Sequence, residues 1–112
     1  MDKESRKVLL ITLRKMSKKG YYETLEYICK NESVHYADVM KFAIEGKIVE
    51  SRATVTLIVR GLLKLNLIER TVIDSAPVRT VYKATKMGIE VFRLLQEIEE
   101  TVQKGRNAEE KK

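Results

Sequence analysis

The 112 residues suffice for one domain with one modest core, and no apolar run approaches the roughly 20 residues of a membrane span. A 44% hydrophobic and 34% charged composition excludes a disordered chain, and one cysteine with one histidine excludes an internal disulfide or a zinc finger. The net charge of +6 favours a polyanionic partner over a basic one.

The opening stretch MDKESRK is charged and lacks an apolar core, so no secretory signal is expected, and the compartment this implies is the cytoplasm. A first helix is predicted over residues 3–18. Val8, Leu9, Ile11, Leu13 and Met16 form its broad apolar face, with Arg6, Lys7, Arg14 and Lys15 elsewhere. Gly20 interrupts it. A second short helix fits residues 21–30, with Tyr22, Leu25, Ile28 and Cys29 as inward candidates. Residues 31–33 form a loop and residues 33–35 a short strand.

The segment YADVMKFAIE, residues 36–45, has apolar Val39, Met40, Ala43 and Ile44 at three- and four-residue steps, and Gly46 is its expected stop. Next comes ESRATVTLIVRGLLKLNLIER, residues 50–70. Its centre, TVTLIV, is rich in β-branched residues, which favour strands. Yet Ser51 is a good helix N-cap. Val55, Val59 and Leu62 recur at steps of four and three, while Arg52, Thr56, Arg60 and Lys64 recur at steps of four on another face. Strict alternation would group Thr54, Thr56, Ile58 and Arg60, a poor core face. A helix over about residues 51–65 is therefore predicted, with Gly61 inside it at a cost of roughly 1 kcal/mol of propensity.

After Asn66 the period changes. Residues 67–73 and 78–84 are strand-like, rich in Val, Ile, Thr and Tyr, with the turn formers DSAP between them. Thr85 can cap a last helix over about residues 86–102. Residues 104–112, KGRNAEEKK, are expected to be a polar, disordered tail, leaving residues 1–103 as a single domain.

The order is helix, helix, short strand, helix, turn, helix, two-stranded ribbon, helix. The fold class predicted is mainly α with a small β wing: a winged helix-turn-helix with extra N-terminal and C-terminal helices. Two segments resemble the HxlR/ArsR/MarR/PadR group of winged-helix transcriptional regulators. SRATVTLIVRGLLKLNLIER is similar to a recognition helix and the strand after it. PVRTVYKATKMG is similar to the second wing strand and its exit into a helix. The resemblance covers roughly residues 20–100. Leu57 and Ile58 depart from it, standing where such regulators commonly carry polar or basic residues. What the resemblance implies is a sequence-specific binder of double-stranded DNA that regulates transcription, as a repressor in the simplest case.

The residues support the same partner. Residues 1–20 carry a net charge of +5, residues 21–50 carry −3, residues 51–93 carry +5 and residues 94–112 carry −1. Short polar and basic side chains on the first turns of a helix can reach base edges in the major groove, which makes Arg52, Thr54, Thr56 and Arg60 the candidates there. Ala53 or Leu57 can touch a thymine methyl, and Ser51 can approach a phosphate with the free N–H groups of the helix start. The wing offers Arg79, Arg70 and Lys83 to the backbone or minor groove. For each cation the plain alternative is a solvated charge. At the level of the whole chain, the alternative is a winged helix used as a protein–protein interaction module, or one that binds RNA.

The last helix spaces Gly88, Val91, Leu95, Ile98 and Val102 by three, four, three and four, and Ile89, Phe92 and Leu94 widen its apolar face. That seam suits a second copy. A homodimer is expected, joined through Leu9 and Leu13 of the first helix and Val91, Phe92, Leu95, Ile98 and Val102 of the last; closure of the monomer's own core is the plainer use. No enzyme, cofactor or metal site is expected. His35 stands alone, and the chain has no P-loop and no Rossmann glycine pattern. Cys29 beside Lys30 is either packing or a thiol made reactive by the cation. No small-molecule effector is legible.

Overall fold

The computed structural model describes residues 2–110. Along the chain run α1 (Lys3–Met16), α2 (Tyr21–Cys29), β1 (Val34–His35), α3 (Tyr36–Glu45), α4 (Arg52–Lys64), β2 (Ile68–Ile73), β3 (Arg79–Ala84) and α5 (Lys86–Glu110). The strands form one antiparallel sheet in the order β1-β3-β2. Ile68 pairs with Ala84 and Ile73 with Arg79. Beyond Ile68 every residue of β2 is exposed, so the ribbon stands out from the body as a wing.

The TVTLIV stretch is helical. The Ser51 hydroxyl caps α4 by accepting from the Thr54 N–H at 3.2 Å. Val55, Ile58, Val59 and Leu62 are buried together. Full burial of such a side chain stabilises by roughly 1.5–3 kcal/mol, while a branched residue costs a helix well under 1 kcal/mol. The core therefore decides the conformation. It also separates two neighbours: Ile58 is 1% exposed and Leu57 is 63% exposed. Ile58 therefore does not break the pattern of an outward face, because it belongs to the core.

Both helices of the pair end by the same device. The Leu67 N–H returns to Leu62 O at 3.1 Å and the Asn66 N–H to Leu63 O at 3.0 Å, with Asn66 left-handed at φ 59. In α3 the corresponding bonds run from Ile48 to Ala43 and from Lys47 to Ile44. The left-handed residue there is Lys47, at φ 56, and not Gly46, whose φ is −76. The closure needs its left-handed residue one position beyond the C-cap, and Gly46 is the C-cap itself.

The core gathers Leu25 and Ile28 of α2, Val39 and Ala43 of α3, the inner face of α4, Leu67, Tyr82, Ala84 and Phe92. The α1 helix contributes only Met16. Its Val8, Leu9, Leu10, Ile11 and Leu13 are exposed. The α5 helix is longer than the sequence suggests: residues 104–110, expected to be a disordered tail, continue it as exposed helix, and residues 111–112 lie outside the described residues. No helix among the described residues is long and apolar enough to cross a membrane.

Candidate nucleic-acid interface

The segment α3–turn–α4 is a helix-turn-helix, and α4 presents an outer face of Arg52, Ala53, Leu57, Arg60 and Lys64, all exposed. Ser51 and Thr54 sit at its start with their hydroxyls 2.8 Å apart. Thr56 is half-buried. Its hydroxyl is hydrogen bonded to the phenol of Tyr36 and donates to Arg52 O at 3.2 Å. Tyr21, Tyr22, Tyr27 and Tyr36 cluster in the sequence, where they could line a ligand pocket, stack on bases or divide between core and surface; the local pattern does not show that Tyr36, at the start of α3, meets α4, and its hydroxyl pairing ties the two helices together.

On the wing, alternation separates the predicted cations. Arg70 is opposite Tyr82, whose ring lies 6.3 Å from that of Tyr36, so Arg70 stands on the ribbon face turned toward the helix pair. Arg79 begins β3 and borders a surface cavity with His35, Tyr36, Asp38 and Thr80. The His35 N–H donates to Asp38 Oδ2 at 3.0 Å there, which makes His35 the N-cap of α3. Lys83 pairs with Glu69 on the other ribbon face and lines a separate hollow with Cys29 and Lys30. The structure thus sets Ser51, Arg52, Thr54, Thr56 and Arg60 on α4 and Arg70 on the ribbon face turned toward it, while Arg79 and Lys83 lie on the other face of β3, Arg79 at the end that borders Tyr36 and Lys83 beside Cys29. Among the described residues, ion pairs within 4.0 Å involve only Lys30 and Arg93, so every other cation named here is free to meet an anion.

The predicted seam is mostly assembled. Leu9, Leu13, Val91, Leu95, Ile98 and Val102 line one apolar groove between α1 and α5. Phe92 does not belong to it. It is 6% exposed and lies 5.6 Å from the ring of Tyr22, inside the core. Gly88 is likewise buried, packed so closely that a Cβ there would collide with the backbone of Leu67. One step round the helix from Val91 is enough to turn a residue from the groove to the core.

Cys29 is half-buried, and burial pushes its thiol up to about 11. Lys30 points its charge at Glu26, 3.3 Å away. The thiol activation by a neighbouring cation that the sequence left open is absent here. No group of three or more His, Cys, Asp or Glu side chains fit to hold a metal exists among the described residues.

Residues 43–110 match the model of the HxlR-like helix-turn-helix family. The chain belongs to that family. The matched span includes all of α4, the wing and α5, the parts that carry the candidate DNA contacts and one side of the groove. The HxlR-like fold recurs in solved structures. A MarR-family regulator from Enterococcus faecalis V583 superposes with a TM-score of 0.78 at 14% identity, covering 100% of this chain and 96% of the other. A PadR-like transcription factor from Bacteroides fragilis gives 0.71 at 19% identity, covering 89% and 96%. The reduced form of the regulator YodB from B. subtilis gives 0.67 at 15% identity, covering 88% of each chain. No curated protein sequence matches the chain significantly.

Proposed function

We propose that this HxlR-like protein regulates transcription by binding an operator in double-stranded DNA as a two-fold dimer, and that it does so in the cytoplasm, without catalysing a reaction. In the simplest case it represses, by occupying the site that polymerase needs. The observation that carries the reading is the outer face of α4, where Arg52, Arg60 and Lys64 are exposed and make no ion pair among the described residues, on a helix whose other face is locked into the core. A helix so held enters a major groove, where Arg52 is placed to pair with a guanine edge or a phosphate. Leu57, exposed between Ala53 and Arg60, suits the methyl group of thymine. Arg70 and Arg79 then reach the backbone or minor groove from the wing.

The α1–α5 groove supports the dimer. It is apolar, lies away from α4, and is lined by both terminal helices. A second copy seated there would set two α4 helices about 34 Å apart on DNA and favour a palindromic operator.

The test is fluorescence anisotropy of labelled random duplex DNA at about 50 and 200 mM salt. A protein making 6–10 phosphate contacts loses about 10³–10⁵ in affinity across that range. An absence of binding at both salts overturns the DNA reading and leaves the exposed Leu57 as the anchor of a protein-interaction face.

A further inference from the structure

Seven of the first twenty residues are basic and two are acidic, a charge that the helix-turn-helix and wing leave unused. The end of α1 and the turn after it meet α4 across a surface hollow. Lys15, Lys18 and Lys19 line it from one side, and Arg60 and Lys64 from the other. No carboxylate lines it, and none of these five cations is in an ion pair among the described residues. Five like charges converging on one hollow repel one another, an arrangement that favours an anion between them.

The hollow is also held rigidly. The Tyr21 phenol, at the start of α2, donates to Leu57 O at 3.4 Å, and its ring lies against Gly61. Gly20 is left-handed at φ 90 and packs so closely that a Cβ would lie 2.7 Å from Ile58 Cδ1. The turn bearing Lys18 and Lys19 is therefore anchored to the recognition helix at two points.

A helix with its side chains is about 10–12 Å across, close to the roughly 12 Å width of the major groove. When α4 fills the groove, a sugar-phosphate strand runs along each of its flanks. One flank bears this hollow. The other bears the α3 side, where Arg52 and Lys41 share a hollow with Glu45. We propose that Lys15, Lys18 and Lys19 form a phosphate clamp on the strand that borders the basic flank of α4, so that the N-terminal segment is part of the DNA site. The inference rests on the DNA reading above. It also makes α1 serve two surfaces: its middle lines the dimer groove, and its end meets DNA.

The test measures binding of labelled random duplex DNA between 50 and 200 mM salt for three dimeric proteins of verified melting behaviour: wild type, Lys15→Gln/Lys18→Gln/Lys19→Gln, and a control, Lys3→Gln/Arg6→Gln/Lys7→Gln, that removes the same charge from α1 outside the hollow. Each phosphate contact contributes about −0.9 to the slope of log Kobs against log[salt]. The clamp variant is expected to bind with a slope shallower by about 3 per protomer and an affinity at least tenfold lower, while the control stays near wild type. A clamp variant with the wild-type slope, or a control that loses as much, overturns the clamp and leaves the DNA reading intact. Wild type that fails to bind at all overturns the DNA reading itself, and the clamp with it.

Discussion

Tyr21 of α2 lies against Gly61 of α4 so closely that a β-carbon at position 61 would come within 2.8 Å of the ring carbon Cε2. Both residues are buried. The glycine that weakens α4 by propensity is thus the residue that admits the aromatic ring joining the recognition helix to the rest of the protein. Gly61→Ala is expected to lower stability. Overpacking costs about 1–3 kcal/mol, and the better helix propensity of alanine returns about 1 kcal/mol. For a domain of this size each kcal/mol is worth about 4–8 °C in Tm. Thermal melts of Gly61→Ala and of Gly61→Ala with Tyr21→Leu check the mechanism: the double variant should lose less than the sum of the single changes, and strict additivity would refute it.

The hydroxyl of Thr56 is engaged with Tyr36 and with Arg52 O, so it is expected to stabilise the helix pair and to read no base. Thr56→Val should cost about 0.5–1.5 kcal/mol in a urea titration and leave the ranking of affinities across a panel of operator variants unchanged. Arg52→Ala should do the reverse, relaxing the preference at one base pair by about 1–3 kcal/mol with little change in stability. A shift in sequence preference on Thr56→Val would return that side chain to the base-reading set.

Neighbouring faces of α5 separate the dimer from the fold. Ile98 is 56% exposed in the groove, whereas Phe92 is buried. Ile98→Glu is expected to give a folded monomer by sedimentation, with its helical circular dichroism kept. Phe92→Ala is expected to lose about 3–5 kcal/mol of stability. A dimer that survives Ile98→Glu would rule out the proposed seam.

Alkaline pH should destabilise the protein by a defined route. Burial raises the Cys29 thiol from 9.0 to about 11. Burial, and then the Glu99 carboxylate to which its phenol donates at 2.9 Å, raise Tyr22 from 10.0 to about 12. Each folded-state pKa lies above the unfolded one, so the folded state holds these protons more tightly. Their contribution is complete below about pH 9 and is lost as pH rises, from 9 to 11 for Cys29 and from 10 to 12 for Tyr22. Urea midpoints measured from pH 8 to 12 should fall over that window, and Cys29→Ala with Tyr22→Phe should flatten the fall. The same raised thiol pKa implies slow alkylation of Cys29 at pH 8.

Local pattern made most of the fold legible. The three-four spacing of Val55, Val59 and Leu62, the Ser51 cap, the change of period after Asn66 and the DSAP turn are all properties of short segments, and the helix pair and wing follow from them. Periodicity also placed Arg52, Arg60 and Arg79 on exposed surface. It was less able to say which apolar neighbour goes inward. Leu57 and Ile58, or Val91 and Phe92, are adjacent on a helix, about 100° apart, and a broad apolar arc includes both members of each pair. Only the elements packed against the arc choose between them.

The sequence by itself determined the elements, their order and the sign of the charge that they carry, because caps, turns and spacing act over a few residues. Tertiary structure alone decided that Tyr36 takes the hydroxyl of Thr56, that Phe92 leaves the seam for the core, and that Lys15, Lys18 and Lys19 stand beside Arg60 and Lys64. Those pairings join segments twenty to seventy residues apart, whose proximity follows from burial of a shared core and is encoded in no local pattern.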